Sequence, residues 1–123
     1  MKIILPTATD SLDGPFDSRF GRGKFFCLVD SETSEYQAHA NPGVNATGGA
    51  GVQASQLVAE LGAEVAISGD FGPNAYMTLN AAGVAMYLAP AGDALTGRQV
   101  LEAFQQGKLE KVSGPTGPGH HHK

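Results

Sequence analysis

Residues 64–88 read EVAISGDFGPNAYMTLNAAGVAMYL, and the way this stretch punctuates itself decides the fold. Glu64–Ser68 is a short apolar run of strand length, and Gly69–Gly72 is a tight turn. Pro73 stands where a helix accepts its first residue, because the missing N–H would be unpaired there anyway. Asn74–Ala82 continues the helix to Gly83, a C-terminal stop, and Val84–Leu88 is a second strand. Two strands joined through a helix run parallel. The stretch is therefore one unit of an α/β sheet with helices packed on it.

Upstream, Ile3, Ile4 and Leu5 make Lys2–Pro6 a short buried strand that Pro6 ends. Thr7–Gly23 has no period and is long for a connection, which marks it as functional. Lys24–Asp30 (KFFCLVD) is aromatic and β-branched, hence strand. After a polar turn at Asp30–Ser34, Glu35–Ala40 returns as the second arm of a hairpin. Asn41–Gly51 (NPGVNATGGAG) is a second glycine-rich loop, and Gln53–Leu61 is a helix with Leu57, Val58 and Leu61 on one face and Gly62 as its stop. Downstream, Thr96 is an N-cap for Gly97–Gln106, whose stripe is Val100, Leu101 and Phe104. The expected order is β-β-β-α-β-α-β-α, with five strands in a mixed sheet. Residues 1–111 form one domain, and 112–123 form a flexible tail rich in Gly and Pro that ends in histidines.

The chain has 123 residues, 41% apolar and 16% charged, which suits one globular core. A net charge of −4 argues against nucleic acid or an anionic membrane as partner. The single cysteine, Cys27, forbids an internal disulfide and fits a reducing, cytoplasmic setting. The N-terminus does not have the pattern of a signal peptide, and no apolar stretch reaches the ~18 residues of a membrane helix. No catalytic Ser-His-Asp set, H-E-x-x-H or Cys/His pair is readable, so the chain is not expected to be an enzyme.

If strands one, three, four and five run the same way, their C-terminal ends share one edge, where open α/β sheets bind ligands. The three segments of oddest composition leave from that edge: Thr7–Gly23, Asn41–Gly51 and Gly69–Gly72. Two of them run into helix starts, whose unpaired N–H groups and partial positive charge favour anions. Gly48, Gly49, Gly51, Gly69 and Gly72 let a ligand approach the backbone, and Arg19, Arg22 and Lys24 add charge. Asp70 runs against this and is read also as a helix cap. Gly48–Gly51 is neither a Walker loop nor G-x-G-x-x-G, and simple turn-making is an equal alternative for these glycines.

Three segments in order, DSRFGRGKFF (17–26), NP…GGAG (41–51) and SGDFGPNAYMTLNAAGV (68–84), resemble the dinitrogenase iron–molybdenum cofactor-binding family. That family spans the NifX and NafY type, the C-terminal part of NifB, and the small orange proteins. The resemblance implies a ribonuclease-H-like three-layer α/β/α fold. It also implies storage or transfer of a preassembled anionic cluster, held mainly non-covalently, of iron–molybdenum or molybdenum–copper sulfide type. One cysteine cannot supply the thiolates of an ordinary iron–sulfur centre, so such a cluster brings its own sulfide. The family usually has His before Phe-Gly-Arg. Here Arg19-Phe20-Gly21-Arg22 replaces it, and Arg does not ligate metal. That weights electrostatic binding and the orange-protein type. A nucleotide-binding ATPase, or a cluster donor or acceptor protein, is the implied partner.

Among single residues, His39 ends the third strand at the ligand edge, and metal ligand and surface histidine are equal readings. Asn41 sets its loop or donates to the ligand. Phe20, Phe71, Tyr76 and Met77 are candidates for the pocket wall, with core packing the commoner role. Cys27 reads as a buried inert thiol, and Arg98 and Lys108 as a solvated helix face. His120, His121 and His122 are a weaker metal-binding candidate. The alternatives to a cluster carrier are a cofactor-free regulatory module working with an ATPase, and a small-anion-binding domain.

Overall fold

The computed structural model describes residues 1–43, 50–90 and 95–115. Its elements are β1 (Lys2–Thr7), β2 (Phe25–Asp30), β3 (Tyr36–Ala40), α1 (Ala50–Glu60), β4 (Val65–Ser68), α2 (Pro73–Ala81), β5 (Ala85–Leu88), α3 (Gly97–Gln105) and β6 (Glu110–Lys111). The strand order is β3-β2-β1-β4-β5-β6. β1, β4 and β5 are parallel, and β2 is antiparallel to both β1 and β3. The C-terminal ends of β1, β3, β4 and β5 therefore share one edge, as the hairpin and the two helical crossovers require.

The expectation of five strands is corrected to six. β6 runs antiparallel to β5, with Tyr87 opposite Lys111 and Leu88 opposite Glu110. It consists of two exposed charged residues and carries no apolar alternation, so nothing in its composition announces a strand. Pairing to β5 alone makes it one. Beyond it, the Val112 N–H donates to the Met86 carbonyl at 2.8 Å.

The sheet is the middle of three layers. Its continuous apolar run in β1 is buried on both sides. Ile4 faces α1 and α2, packing with Phe26, Ala54, Val58, Ala75, Leu79 and Met86. Ile3 and Leu5 face α3, packing with Leu12, Cys27, Ile67, Val100 and Leu101. Each such side chain contributes about 1.5–3 kcal/mol when fully buried. Cys27 is fully buried, 3.5 Å from the Thr7 hydroxyl, and burial pushes its thiol pKa up.

The helix ends are set locally. Gly62, Gly83 and Gly107 each follow a helix at φ of 75–78°, the left-handed conformation that glycine adopts without strain. α3 opens with a capping box: the Thr96 hydroxyl accepts the Gln99 N–H at 3.1 Å, and the Gln99 side chain accepts the Thr96 N–H at 2.9 Å. α1 begins at Ala50, three residues before the apolar pattern starts, which brings Gly51 into its first turn. No helix among the described residues is long and apolar enough to cross a membrane.

Candidate functional site

The long loop between β1 and β2 is built by backbone contacts that its residue types do not reveal. The Asp17 N–H donates to the Pro6 carbonyl at 3.1 Å. The Ser18 carbonyl accepts both the Gly69 N–H at 3.0 Å and the Ser68 hydroxyl at 3.1 Å. A Cβ at position 69 would stand 2.5 Å from the Ser18 Cβ and 2.8 Å from its carbonyl oxygen. Gly69 is thus required by this close approach, which pins the loop to the end of β4. The Arg22 and Gly23 N–H groups then donate to the Arg19 carbonyl, closing a turn over residues 19–23.

That turn drops Phe20 into the core, 2% exposed, with ring centroids 5.2 Å from Phe26 and 5.4 Å from Phe71. The three rings form an apolar floor. Above it lies a cleft of about 270 Å³ lined by Phe20, Gly21 and Arg22 of the turn, Gly51 of α1, and Asp70 and Gly72–Ala75 at the start of α2. Two larger hollows, about 570 and 590 Å³, lie at the β2–β3 turn and at the opposite edge of the sheet. Neither gathers the glycine-rich segments.

The start of α2 faces this cleft with its backbone. Gly72 occupies the N-cap position and supplies no side-chain acceptor; Pro73 follows. The Tyr76 N–H donates to the Gly72 carbonyl, but among the described residues the Asn74 and Ala75 N–H groups find no acceptor. A Cβ at Gly72 would meet nothing within 4 Å, so the space there is open. Asp70 is half-buried beside it and does not cap the helix. Burial pushes its pKa up and the nearby Asp17 charge adds to this, against the Phe20 N–H, which donates to the carboxylate; the net effect is upward.

Of the residues singled out by sequence, the cleft brings together Phe20, Gly21, Arg22, Gly51, Asp70 and Gly72. Gly69 and Phe71 act beneath it, as junction and floor. Arg19 lies outside the lining: its guanidinium is held bidentately by Asp17 at 3.1 and 3.0 Å and is largely exposed. Burial pushes the Asp17 pKa up, but the Arg19 side-chain and backbone donors outweigh it and hold the carboxyl below its usual value. Asn41 is buried and shapes its loop, donating to the Gly23 carbonyl at 2.8 Å and accepting the Gly43 N–H at 2.9 Å. His39 lies opposite Phe26 in the β2–β3 ladder, hence on the α1/α2 face. Its Nε2 is buried with no hydrogen-bond partner among the described residues, and it does not line the cleft. Gly48, Gly49, His120, His121 and His122 lie outside the described residues.

Two wall candidates are corrected. Met77 is 66% exposed, and Tyr76 turns its hydroxyl to the Ser113 carbonyl at 3.1 Å; neither lines the cleft. Helical spacing explains both, since of the first turn only Pro73, Asn74 and Ala75 line the cleft. Sequence reading missed Pro73, Asn74 and Ala75 as lining residues, although Pro73 as first helical residue already signals where that turn begins. Arg98, read as solvated, is held by Asp13 at 2.6 and 3.2 Å, which fastens the long loop to α3. No group of three His, Cys, Asp or Glu side chains among the described residues is arranged to hold a bare metal ion. The cleft offers backbone amides and a guanidinium instead, a donor set for an anion.

The family described as dinitrogenase iron–molybdenum cofactor matches residues 1–107. The chain belongs to that family. Within the iron–molybdenum cofactor family and its relatives, it is similar to the orange protein of Desulfovibrio gigas, whose apo structure shares 33% identity and a TM-score of 0.87. The match covers 94% of this chain and 96% of that one. A NifB-like protein from Thermotoga, of the DUF35 family, shares 30% identity and a TM-score of 0.79 over 94% and 96% of the two chains. The uncharacterised protein MJ0580 of Methanocaldococcus jannaschii is 30% identical over 114 residues, covering 90% of this chain and 91% of it. The S-R-F-G-R, N-P and G-D-F-G-P segments that carry the resemblance are the ones that meet around the sheet edge just described.

Proposed function

We propose that this protein binds a preassembled, anionic metal–sulfide cluster as cargo at the cleft between the 19–23 turn and the start of α2, and stores or transfers it. The observation that carries this reading is the uncapped start of α2. Asn74 and Ala75, whose N–H groups find no acceptor among the described residues, line a cleft that Arg22 also lines, over a floor of three phenylalanines. Fixed N–H dipoles and a guanidinium suit an anion that has its own sulfide. The one cysteine is fully buried in the sheet and distant in role from the site. Family membership supports a metal–sulfide cluster of the iron–molybdenum cofactor or molybdenum–copper class, and similarity to the orange protein weights the reading toward the latter. His39 lies on the same face of the sheet but outside the cleft lining, so this reading gives it no ligand role. Carriage rather than catalysis, a cytoplasmic setting, and a donor, acceptor or ATPase partner complete the proposal. The order β3-β2-β1-β4-β5 with β2 antiparallel supports a ribonuclease-H-like assignment of the fold.

The test is reconstitution. The apo-protein is mixed with tetrathiomolybdate and copper, desalted, and assayed by visible spectrum and metal content. Wild type is expected to retain charge-transfer bands at a fixed metal ratio, Arg22→Ala to lose them, and Arg19→Ala to keep most of them. Retention by Arg22→Ala, or displacement by inorganic phosphate at equal concentration, would move the reading to another site or to a general small-anion module.

A further inference from the structure

The cleft contains a charge opposed to the cargo proposed for it. Asp70 follows β4 and lines the same cleft as Arg22, Gly51 and Gly72. Its carboxylate is half-buried, and the Phe20 backbone N–H of the 19–23 turn favours its ionised form less than burial opposes it. α1, α2 and β4 carry no cation to neutralise it. α2 carries no charged residue, β4 carries none, and the single charged residue of α1 is Glu60 at its far end. From the long loop come Arg22, which lines the cleft, and Asp17 and Arg19, which are paired with each other. Asp17 adds negative charge near Asp70. His39 lies on the same face of the sheet but outside the lining.

An ionised Asp70 would repel an anion entering this space. The neutral acid does the opposite, because its O–H can donate to a sulfide or oxide of the cluster. We propose that cargo binding is proton-coupled through Asp70: as an anionic sulfide cluster enters, the carboxylate takes one proton from solvent and donates the resulting O–H to the cluster. This rests on the reading that the cleft receives an anionic cluster. The coupling is reciprocal, so bound cargo raises the proton affinity of Asp70 and loss of the proton favours release. Burial, which already weakens the acidity of Asp70 in the free protein, lowers the cost of the protonation.

The experiment is isothermal titration of the full chain with tetrathiomolybdate across neutral pH, in two buffers of different ionisation enthalpy, for wild type and Asp70→Asn. Wild type is expected to take up about one proton per anion bound, and its affinity to weaken about tenfold per pH unit above the Asp70 pKa. Asp70→Asn keeps the acceptor for the Phe20 N–H and replaces the acid by a neutral donor. It is expected to lose both the uptake and the pH slope and to bind more tightly than wild type at the alkaline end. Equal proton uptake by Asp70→Asn, or binding by wild type without uptake, overturns the proposal and leaves the cleft reading intact. Absence of binding by either protein at every pH overturns both. Should the variant fail to fold, carboxyl ¹³C resonances of wild type decide: the Asp70 carbon moves to its protonated position on adding tetrathiomolybdate, and a carbon that stays ionised overturns the proposal.

Discussion

α2 and α3 begin at the same edge of the sheet and treat their first turns in opposite ways. At α3 the first amides are all consumed within the protein. The Gly97 N–H donates to the Gly14 carbonyl, Arg98 to the Leu12 carbonyl, Gln99 to the Thr96 hydroxyl, and Val100 to the Thr96 carbonyl. At α2 a glycine and a proline take the capping positions, and among the described residues the amides of Asn74 and Ala75 are left without acceptors. One helix start is closed and serves stability. The other is open toward a cleft and forgoes that stabilisation. Elements of equal length, nine residues each, thus differ in purpose through four positions of sequence, T-G-R-Q against G-P-N-A.

The largest expected effect comes from forcing the closed start apart. Gly97→Ala places a Cβ 2.9 Å from the Leu12 carbonyl oxygen and 3.0 Å from Thr7 Cγ2. It should cost about 1–3 kcal/mol in thermal or urea denaturation, as overpacking does, and leave tetrathiomolybdate affinity unchanged in the folded fraction. Thr96→Ala removes the hydroxyl cap and should cost about 1 kcal/mol, again without effect on the ligand. Gly72→Ser is the converse. A hydroxyl at the open start can take an orphan N–H, so stability should rise by only a few tenths of a kcal/mol, while anion affinity falls. A stabilised Gly72→Ser protein that binds as well as wild type would remove the distinction between the two starts.

Asp70→Asn gives the smallest stability effect, and it depends on pH. The folded protein holds the Asp70 proton more tightly than the unfolded chain, so the ionised group opposes folding. That penalty is absent below the ordinary carboxylate pKa and grows as pH rises to the raised value. It is complete above that value. The gain in melting temperature on Asp70→Asn should follow the same course, full at neutral pH and lost in acid. A gain that persists unchanged in acid would place the cause elsewhere than in ionisation.

Much of this architecture is legible in the sequence because its signals are local. Pro73, Gly62, Gly83 and Thr96 each act within a few residues of themselves, and the apolar runs of β1, β2 and β4 need no partner to be read. β6 is illegible because two exposed charged residues become a strand only by pairing with β5. The junction that shapes the site is illegible for another reason. The Ser18 carbonyl belongs to the backbone, and any residue supplies one; only Gly69, with no room for a Cβ, betrays the contact. The pairing of Arg19 with Asp17 had a signal, a carboxylate two residues upstream, and it separates two arginines that motif reading treats alike.

The glycines of the fold divide by the edge of the sheet they occupy. Gly62 and Gly83, beside the N-terminal ends of β4 and β5, are left-handed and have open space around them. Gly21, Gly51, Gly69 and Gly72, at the ligand edge, are not among the left-handed glycines. A mirror-image alanine introduced by chemical synthesis is at home where L residues are strained. At positions 62 and 83 it would restrict the unfolded chain and leave the native backbone as it is. The scaffold can therefore be stiffened from its far side while the end that meets the cargo keeps every atom it has.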